Sequence, residues 1–386
     1  MRRRLGIVAV VCGLSLFASG CAGDESGTAK EEIPIGVDID LSGANQVQGA
    51  AYRNALNLIS DEINQDGILG GRKIRLIIQD NKSVPATSLQ VAKQLIENDN
   101  VAALITAGSS ETTMAVVQTV ETLQVPTIST ASSDAIVNPS DQRKYMFKTP
   151  ASTKTVTDRL VTEFKAQHIA KAGVLTIDND FGKASEDALF AGAKAAGLDL
   201  VANERFSAED TDLAVPLKNI VAQKPDAIFV WAPSPFAGQV ARALKDTKYT
   251  GRVYYAPEAG ADLFIKDAGK SGENSLMIHP TILAANQINA TTTNALDQKQ
   301  FFADYSQRYG SYSGYASYAA DALKIVVAAI QKSKSTEHNK IRDAIESLSL
   351  DGLTGSYSFS PANHGGVSAD ALTVLAVRNG SWVLAQ

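Results

Sequence analysis

Residues 101–134 constrain the fold more than any other stretch of the chain. An apolar run is followed by a break at residues 107–110, a segment of helical character, a second apolar run at residues 125–128 and a second polar break. This order predicts two parallel strands joined by a helix. In an open parallel sheet both breaks lie at the carboxyl ends of their strands, which is the edge where such sheets bind ligands.

Both breaks are rich in hydroxyl groups: Ser109, Ser110, Thr112 and Thr113 in the first, and Ser129, Thr130, Ser132 and Ser133 in the second. The first break also begins a helix, whose free N–H groups and dipole favour an anion. The pattern therefore predicts a site for a small anionic group such as a carboxylate. A simpler interpretation stays open, in which Ser110 is an ordinary helix N-cap and Ser132 and Ser133 are loop residues.

The first 20 residues are typical of a secretory signal. Three arginines, Arg2 to Arg4, precede an apolar segment at residues 5–17 and small residues at 18–20. Cys21 follows directly and resembles the lipidated cysteine of a bacterial lipobox. The apolar segment is shorter than the roughly 20 residues of a membrane-spanning helix. We therefore predict a signal peptide at 1–20, a flexible tether at 21–32 and an exported chain that a lipid on Cys21 anchors to the outer face of the cell membrane.

Composition narrows the class of protein. The only cysteines are Cys12 and Cys21, so the exported domain has no disulfide and depends on its apolar core. The formal net charge is −5, and loss of the three leader arginines takes it to about −8. An acidic chain without a basic block is a poor partner for nucleic acid. Its length favours two domains.

Strand and helix patterns alternate twice along the chain, in residues 33–148 and again in residues 153–256. This predicts an α/β protein with two doubly wound parallel-sheet lobes. Beyond residue 280 the pattern is less regular, with helical segments at 301–309 and 315–332 and strand-like segments at 355–359 and 371–377.

Motifs for catalysis are not found. None of the four histidines pairs at metal-ligand spacing, and the GSYSG sequence at residues 310–314 has Tyr312 at its centre where a nucleophile elbow needs serine. The sequence contains no P-loop, and no G-x-G-x-x-G follows a strand. We therefore expect no enzyme activity, no cofactor and no metal.

Several segments in a fixed order resemble the type I solute-binding proteins, specifically the leucine/isoleucine/valine-binding branch that serves ATP-driven importers. They are GVDIDLSGANQVQG, DEINQDGILGGRKIRLIIQDNKSVP, AGSSETT, PTIST, IDNDFG and APEAG. The resemblance implies two lobes joined by a three-segment hinge that close on a ligand in the cleft between them. It implies an N-terminal lobe of residues 33–150 plus 281–354 and a C-terminal lobe of residues 151–280 plus 355–386.

The resemblance also implies roles for single residues. The carboxylate site of the family falls on Ser110, Ala131 and Ser133, next to Ser109, and its ammonium-binding acid falls on Glu258. Three wall positions depart from the family, with Gln48 in place of an aromatic residue, Pro233 in place of a tyrosine and Phe181 in place of a more usual tyrosine.

From these features we predict a monomeric, lipid-anchored binding protein that captures a small amino acid, aliphatic or branched-chain, and delivers it to the permease subunits of an ABC transporter. Two alternatives stay open: a binding protein for urea or short amides, and a surface sensor that reports a ligand to a membrane receptor.

Overall fold

The computed structural model describes residues 32–385. The predicted signal peptide, Cys21 and almost all of the tether lie outside these residues. Within them, no helix combines the length and the apolar character needed to cross a membrane.

The first lobe is built on a sheet of five parallel strands in the order β2-β1-β3-β4-β5. The strands are β1 (Ile33–Ile39), β2 (Ile74–Asp80), β3 (Ala103–Ala107), β4 (Thr127–Ser129) and β5 (Met146–Lys148), and the helices between them are α1 (Gln46–Asp66), α2 (Pro85–Glu97) and α3 (Ser110–Leu123). All five residues of β3 are buried. Its continuous apolar sequence therefore reflects a strand covered on both faces.

The second lobe contains a seven-stranded sheet in the order β14-β13-β10-β9-β8-β6-β7. Its strands are β6 (Lys171–Ile177), β7 (Asp199–Phe206), β8 (Ala227–Trp231), β9 (Arg252–Tyr255), β10 (Leu276–Pro280), β13 (Leu372–Arg378) and β14 (Ser381–Leu384). Its helices are α4 (Thr153–Ala166), α5 (Asp180–Ala196), α6 (Ala214–Ala222), α7 (Phe236–Asp246) and α8 (Asp262–Ala268). These two sheets confirm the predicted α/β class with two parallel-sheet lobes.

Three further helices and a hairpin complete the described chain: α9 (Thr293–Tyr309), α10 (Ala316–Ser333), α11 (His338–Glu346), β11 (Ser349–Asp351) and β12 (Ser356–Ser358). Helix α10 packs against α1 and touches β3, so it belongs to the first lobe. Its buried Asp321 accepts hydrogen bonds from the backbone N–H groups of Leu353 and Thr354 and from the Tyr357 hydroxyl.

The β11–β12 hairpin bears on the predicted domain boundaries. Gly355 lies in its turn, and Tyr357 on its second strand bonds to α10 of the first lobe. Residues just after Gly355 therefore contact the first lobe, although the sequence assigned them to the second. The domain limits as a whole stay a prediction.

The second sheet is not wholly parallel, because β13 runs antiparallel to β10 and β14 antiparallel to β13. These two strands come from the end of the chain, and a short turn joins β13 to β14, as antiparallel neighbours allow. Five elements lacked a clear sequence signal: the strands β10, β11 and β14 and the helices α8 and α11. They have three to nine residues each, too few to show a decisive period.

Each sheet has one point where its strand order reverses. In the first sheet this point lies between β1 and β3, and in the second it lies between β6 and β8. Open α/β sheets bind ligands just beyond the carboxyl ends of such strand pairs, where the loops part and leave a crevice. The loops that leave these four strands line one shared cavity.

Candidate ligand-binding site

A cavity of about 330 Å³ lies between the carboxyl edges of the two sheets. This size is within the range of small-molecule sites. Seven of the eight predicted ligand-binding residues line it: Gln48, Ser109, Ser110, Ala131, Phe181, Pro233 and Glu258. The eighth, Ser133, is not part of the lining, but its backbone N–H donates to the hydroxyl of the lining residue Ser110. Their roles toward a ligand stay a prediction.

The start of α3 brings the two hydroxyl-rich breaks together. Ser109 is the N-cap of this helix, and its Oγ accepts the Thr112 N–H at 3.2 Å. Ser110 is therefore the first helical residue, and the simpler interpretation that made it the N-cap is wrong. Its Oγ accepts the backbone N–H of Ser133 at 3.3 Å. The helix N-terminus and the loop after β4 thus form one polar wall.

Asp40, just beyond β1, holds this wall in place. Its buried carboxylate accepts the Ser109 N–H at 3.1 Å, the Thr112 hydroxyl at 3.2 Å and the Asn45 side-chain amide at 2.9 Å. Burial raises its pKa above the ordinary value for aspartate, against the effect of these hydrogen bonds. Asp40 thus ties the first turn of α3 to the loop before α1, which carries other lining residues.

Gly108 is required by this packing. A Cβ atom at residue 108 would lie 2.2 Å from Asp40 Oδ1 and 2.8 Å from Thr112 Oγ1. Both distances are shorter than van der Waals contact, so only glycine lets the helix start approach Asp40 this closely.

Glu258 lies on the opposite wall, in a short 3-10 turn that follows β9. Its Oε2 atom is buried and has no hydrogen-bond partner. Burial raises the pKa of the carboxyl above its ordinary value, while its own backbone N–H, the Ser132 hydroxyl and the charge of Lys148 oppose that rise. A buried carboxylate oxygen without a partner is costly, and a cationic ligand would supply the missing donor.

Three tyrosines stand around Glu258. The Tyr315 hydroxyl donates to the backbone carbonyl of Glu258 at 2.5 Å, and its ring lies 6.1 Å from that of Tyr52. Tyr52 donates to the Thr130 carbonyl at 3.3 Å and accepts from Gln48 Nε2 at 3.0 Å. Tyr318 also lines the cavity. Aromatic rings thus line the cavity at the end that holds Glu258.

The second lobe contributes a largely apolar wall. Its lining residues include Phe181, Pro233, Pro235, Phe236 and Leu263. Phe181 is held in the first turn of α5, where the Asn179 side chain caps the helix by accepting the Gly182 N–H at 2.8 Å. Such a wall suits an aliphatic or aromatic group better than a charged one.

Sequence reasoning missed several lining residues. Tyr52, Tyr315 and Tyr318 come from helices far apart in sequence, and their spacing alone resembles that of core residues. Ser132 was noticed only as part of a hydroxyl-rich break, although it lines the cavity. Within residues 32–385, no group of three or more His, Cys, Asp or Glu side chains could hold a metal ion.

Comparisons with known proteins agree with this architecture. An amino acid binding protein of Pseudomonas aeruginosa is 22% identical over 227 residues, which is 58% of this chain and 60% of that protein. The match therefore spans about three fifths of the curated relative.

Solved structures match over nearly the whole described chain. An extracellular ligand-binding receptor from Rhodopseudomonas palustris HaA2 is 27% identical with a TM-score of 0.83, covering 92% of this chain and 100% of that one. The branched-chain amino acid transporter substrate binding protein LivJ from Streptococcus pneumoniae, solved with isoleucine, is 23% identical with a TM-score of 0.79, covering 91% and 97%. The latter likeness shows the fold alone.

The family described as periplasmic binding protein matches residues 32–381. This span includes every residue that lines the cavity and both sheets except the last three residues of β14. The chain therefore belongs to the periplasmic binding protein family, as the resemblance in its sequence predicted.

Proposed function

We propose that this protein captures a small amino acid between its two lobes and delivers it to an ABC importer. The α-carboxylate lies against the start of α3 and the loop after β4, the α-ammonium group lies against Glu258, and the side chain faces the apolar wall of the second lobe. The proposal includes export and a lipid anchor at Cys21.

One observation carries the proposal: Glu258, whose Oε2 atom is buried and has no hydrogen-bond partner, lines a cavity whose other wall begins a helix. The first N–H groups of a helix favour negative charge. A zwitterion satisfies both ends at once, whereas an uncharged ligand such as urea leaves the carboxylate without a counter-charge.

The known proteins support a branched-chain or other aliphatic side chain. The structural relative LivJ was solved with isoleucine, and the curated relative is named an amino acid binding protein. Phe181, Phe236 and Leu263 offer apolar surface for such a side chain. A role as a sensor for a membrane receptor would use the same binding step and differ only in the partner.

Thermal unfolding in the presence of matched ligands tests the proposal. A ligand that binds only the folded state raises the melting temperature, by the equivalent of about 2.7 kcal/mol at a hundredfold excess over its Kd. We expect leucine, isoleucine or valine to raise it. Leucinamide lacks the carboxylate and 4-methylpentanoate lacks the ammonium group, so both should have little effect.

Urea and acetamide serve as the contrasting panel. If they stabilise the protein and no amino acid does, the amino-acid proposal is wrong. The variant Glu258→Gln, tested against the same panel, shows whether stabilisation depends on the carboxylate.

A further inference from the structure

The segment that joins α9 to α10 in the first lobe, residues 310–315, is fastened to the turn of the second lobe that carries Glu258. The Tyr315 hydroxyl donates to the backbone carbonyl of Glu258, and the Gly314 N–H donates to the Gly260 carbonyl at 2.8 Å. Two hydrogen bonds to backbone carbonyls thus hold this turn from the opposite lobe. We call residues 310–315 the joining segment.

The contact between the two lobes is close enough here to require glycine. A Cβ atom on Gly314 would lie 2.1 Å from the Gly260 carbonyl oxygen and 2.7 Å from His279 Nε2. A third hydrogen bond, from Ser311 Oγ to Asp262 Oδ2 at 2.8 Å, lies at the exposed end of the same contact. Backbone therefore meets backbone across the lobes, which a residue without a Cβ atom allows.

The joining segment also lies beside the connections between the lobes. His279 belongs to β10, after which the chain returns to the first lobe, and its ring packs beside Gly314. Thr149, which follows β5 where the chain first leaves that lobe, donates from its hydroxyl to the Tyr318 carbonyl in α10 at 3.0 Å. Atoms next to the hinge segments move least when two lobes part. The joining segment is therefore placed to stay attached as the lobes open.

The backbone carbonyl of Glu258 is held from both lobes. It accepts the Ser234 N–H at 3.1 Å, from the loop after β8 in its own lobe, in addition to the Tyr315 hydroxyl. Loss of that hydroxyl leaves the turn held from one side. A small shift of the turn moves the Glu258 carboxylate, and binding groups need supporting hydrogen bonds of this kind to keep their geometry.

We propose that Tyr315 is a positioning residue for Glu258, and that the joining segment keeps this acid attached to the first lobe whether or not a ligand is bound. On this basis both polar ends of the cavity are in place before the lobes close. The role toward a ligand rests on the proposed function, whereas the attachment does not.

A double-mutant cycle tests the positioning role. Tyr315→Phe keeps the ring and removes the hydroxyl. It should weaken leucine binding about fivefold in the wild-type background, and less than about twofold in Glu258→Gln, where the acid is already gone. Tyr305→Phe is the matched control, because Tyr305 is a buried tyrosine whose hydroxyl donates to the Ala51 carbonyl of its own lobe. It should leave leucine affinity unchanged in both backgrounds.

Calorimetric titration with leucine gives the affinities of these variants. An equal loss in both backgrounds would mean that the Tyr315 hydroxyl acts on the ligand itself. No loss in the wild-type background would mean that its hydrogen bond serves the fold alone. Either result overturns the positioning role.

Hydrogen exchange in the ligand-free wild type tests the attachment. The Gly314 amide, which donates across to the second lobe, should exchange about as slowly as the Ala316 amide, which donates to the Ser313 carbonyl of its own lobe at 3.0 Å. NMR of protein labelled with ¹⁵N-glycine and ¹⁵N-alanine follows both signals. Exchange of Gly314 at the rate of an unstructured peptide overturns the attachment, whether or not added leucine restores its protection.

The two experiments separate this inference from the proposed function. Absence of amino-acid binding would contradict the proposed function and the positioning role together, and the Gly314 signal would still decide on the attachment. The exchange measurement also uses the wild type, so the inference can be refuted even if Tyr315→Phe does not fold.

Discussion

The backbone N–H of Ser133 donates to Ser110 Oγ across 3.3 Å, and this bond joins the two polar breaks that lie 23 residues apart in sequence. One break begins a helix and the other follows a strand. The hydrogen bond between them holds the two loops together as one continuous wall of the cavity.

Ser110→Ala is expected to weaken amino-acid binding about tenfold. It removes the hydrogen bond between Ser110 Oγ and the Ser133 N–H, which we expect to contribute about 1.4 kcal/mol. Ser109→Ala is the matched variant. It removes the N-cap of α3 and should instead lower the free energy of unfolding by about 1 kcal/mol, with little change in affinity. Calorimetric titration and chemical denaturation of both variants separate the two roles. Equal loss of affinity in both would contradict this division.

Glu258→Gln is expected to cost about 2 to 5 kcal/mol of binding free energy, the range for truncating one partner of a buried charge pair. Glu111→Gln is its control in the same cavity, since Glu111 has no buried oxygen without a partner, and its effect should be much smaller. Calorimetry at pH 7.5 compares the affinities of the wild type and of both variants. An unchanged affinity in Glu258→Gln would remove this residue from the ammonium site.

The pH dependence of binding follows from the raised pKa of Glu258. Only the ionised carboxylate attracts an ammonium group, so affinity should be lost as the pH falls through that pKa. Because burial raises the pKa, the loss should begin at a higher pH than it would for an exposed glutamate. The Kd measured between pH 8 and pH 5 tests this, and Glu258→Gln should show a nearly flat profile. A wild-type profile that is equally flat would count against the pairing.

Asp38 makes the stability of the fold itself pH-dependent. It is a buried residue of β1 whose carboxylate accepts hydrogen bonds from Ser88 and Asn81, and burial raises its pKa from 3.8 to about 7, with Asp40 and Asp80 adding to the rise. Between these values the folded state binds more protons than the unfolded state, so stability falls as the pH rises from about 4 to about 7.

Asp38→Asn should remove this loss. Relative to the variant, the wild type should lose on the order of 2 to 3 kcal/mol in free energy of unfolding between pH 5 and pH 8. Asp80→Asn is the contrasting variant. Hydrogen bonds from Ser42, Lys82 and Leu41 outweigh burial and lower the pKa of Asp80. The ionised Asp80 therefore stabilises the folded state, and this stabilisation is lost as the pH falls. Denaturation curves at pH 5 and pH 8 give the sign of the change in free energy of unfolding for each protein. If this free energy changes equally with pH in the wild type and in Asp38→Asn, Asp38 is not the source of the pH dependence.

Gly108→Ala should lower the free energy of unfolding on the order of 1 to 3 kcal/mol, the usual cost of overpacking. It should also weaken binding, because the new methyl group displaces Asp40 from the Ser109 N–H. Gly365→Ala is the control, since a Cβ atom there meets its nearest neighbour only at 3.5 Å. Denaturation and calorimetry of both variants test the prediction, which fails if the two behave alike.

Much of the architecture could be predicted because its signals are local. The buried strand β3 is visible in the sequence as a continuous apolar run, and the N-cap Asn179 precedes a segment with helical period. The meeting of Ser110 with the loop after β4 was also predictable, since parallel strands bring their carboxyl ends to one edge.

The rest depends on packing between distant segments. Nothing in the spacing of Tyr52 and Tyr315 indicates that their rings lie 6.1 Å apart, and nothing around Lys148 indicates complete burial. Whether Ser109 or Ser110 caps α3 depends on the backbone conformation of a single residue. Contacts between distant segments determine such details, and the spacing of apolar residues in the sequence does not reveal those contacts.

The two strand-order reversals that flank the cavity belong to sheets that share no strand within residues 32–385. The serine end and the apolar wall are therefore separable parts of one chain. A chimera that takes residues 151–280 from another family member would present a foreign wall to this chain's own serine end. Such an exchange would replace the apolar wall together with Glu258 and keep the serine end, so under the proposed function it would test which half of the cavity selects the ligand.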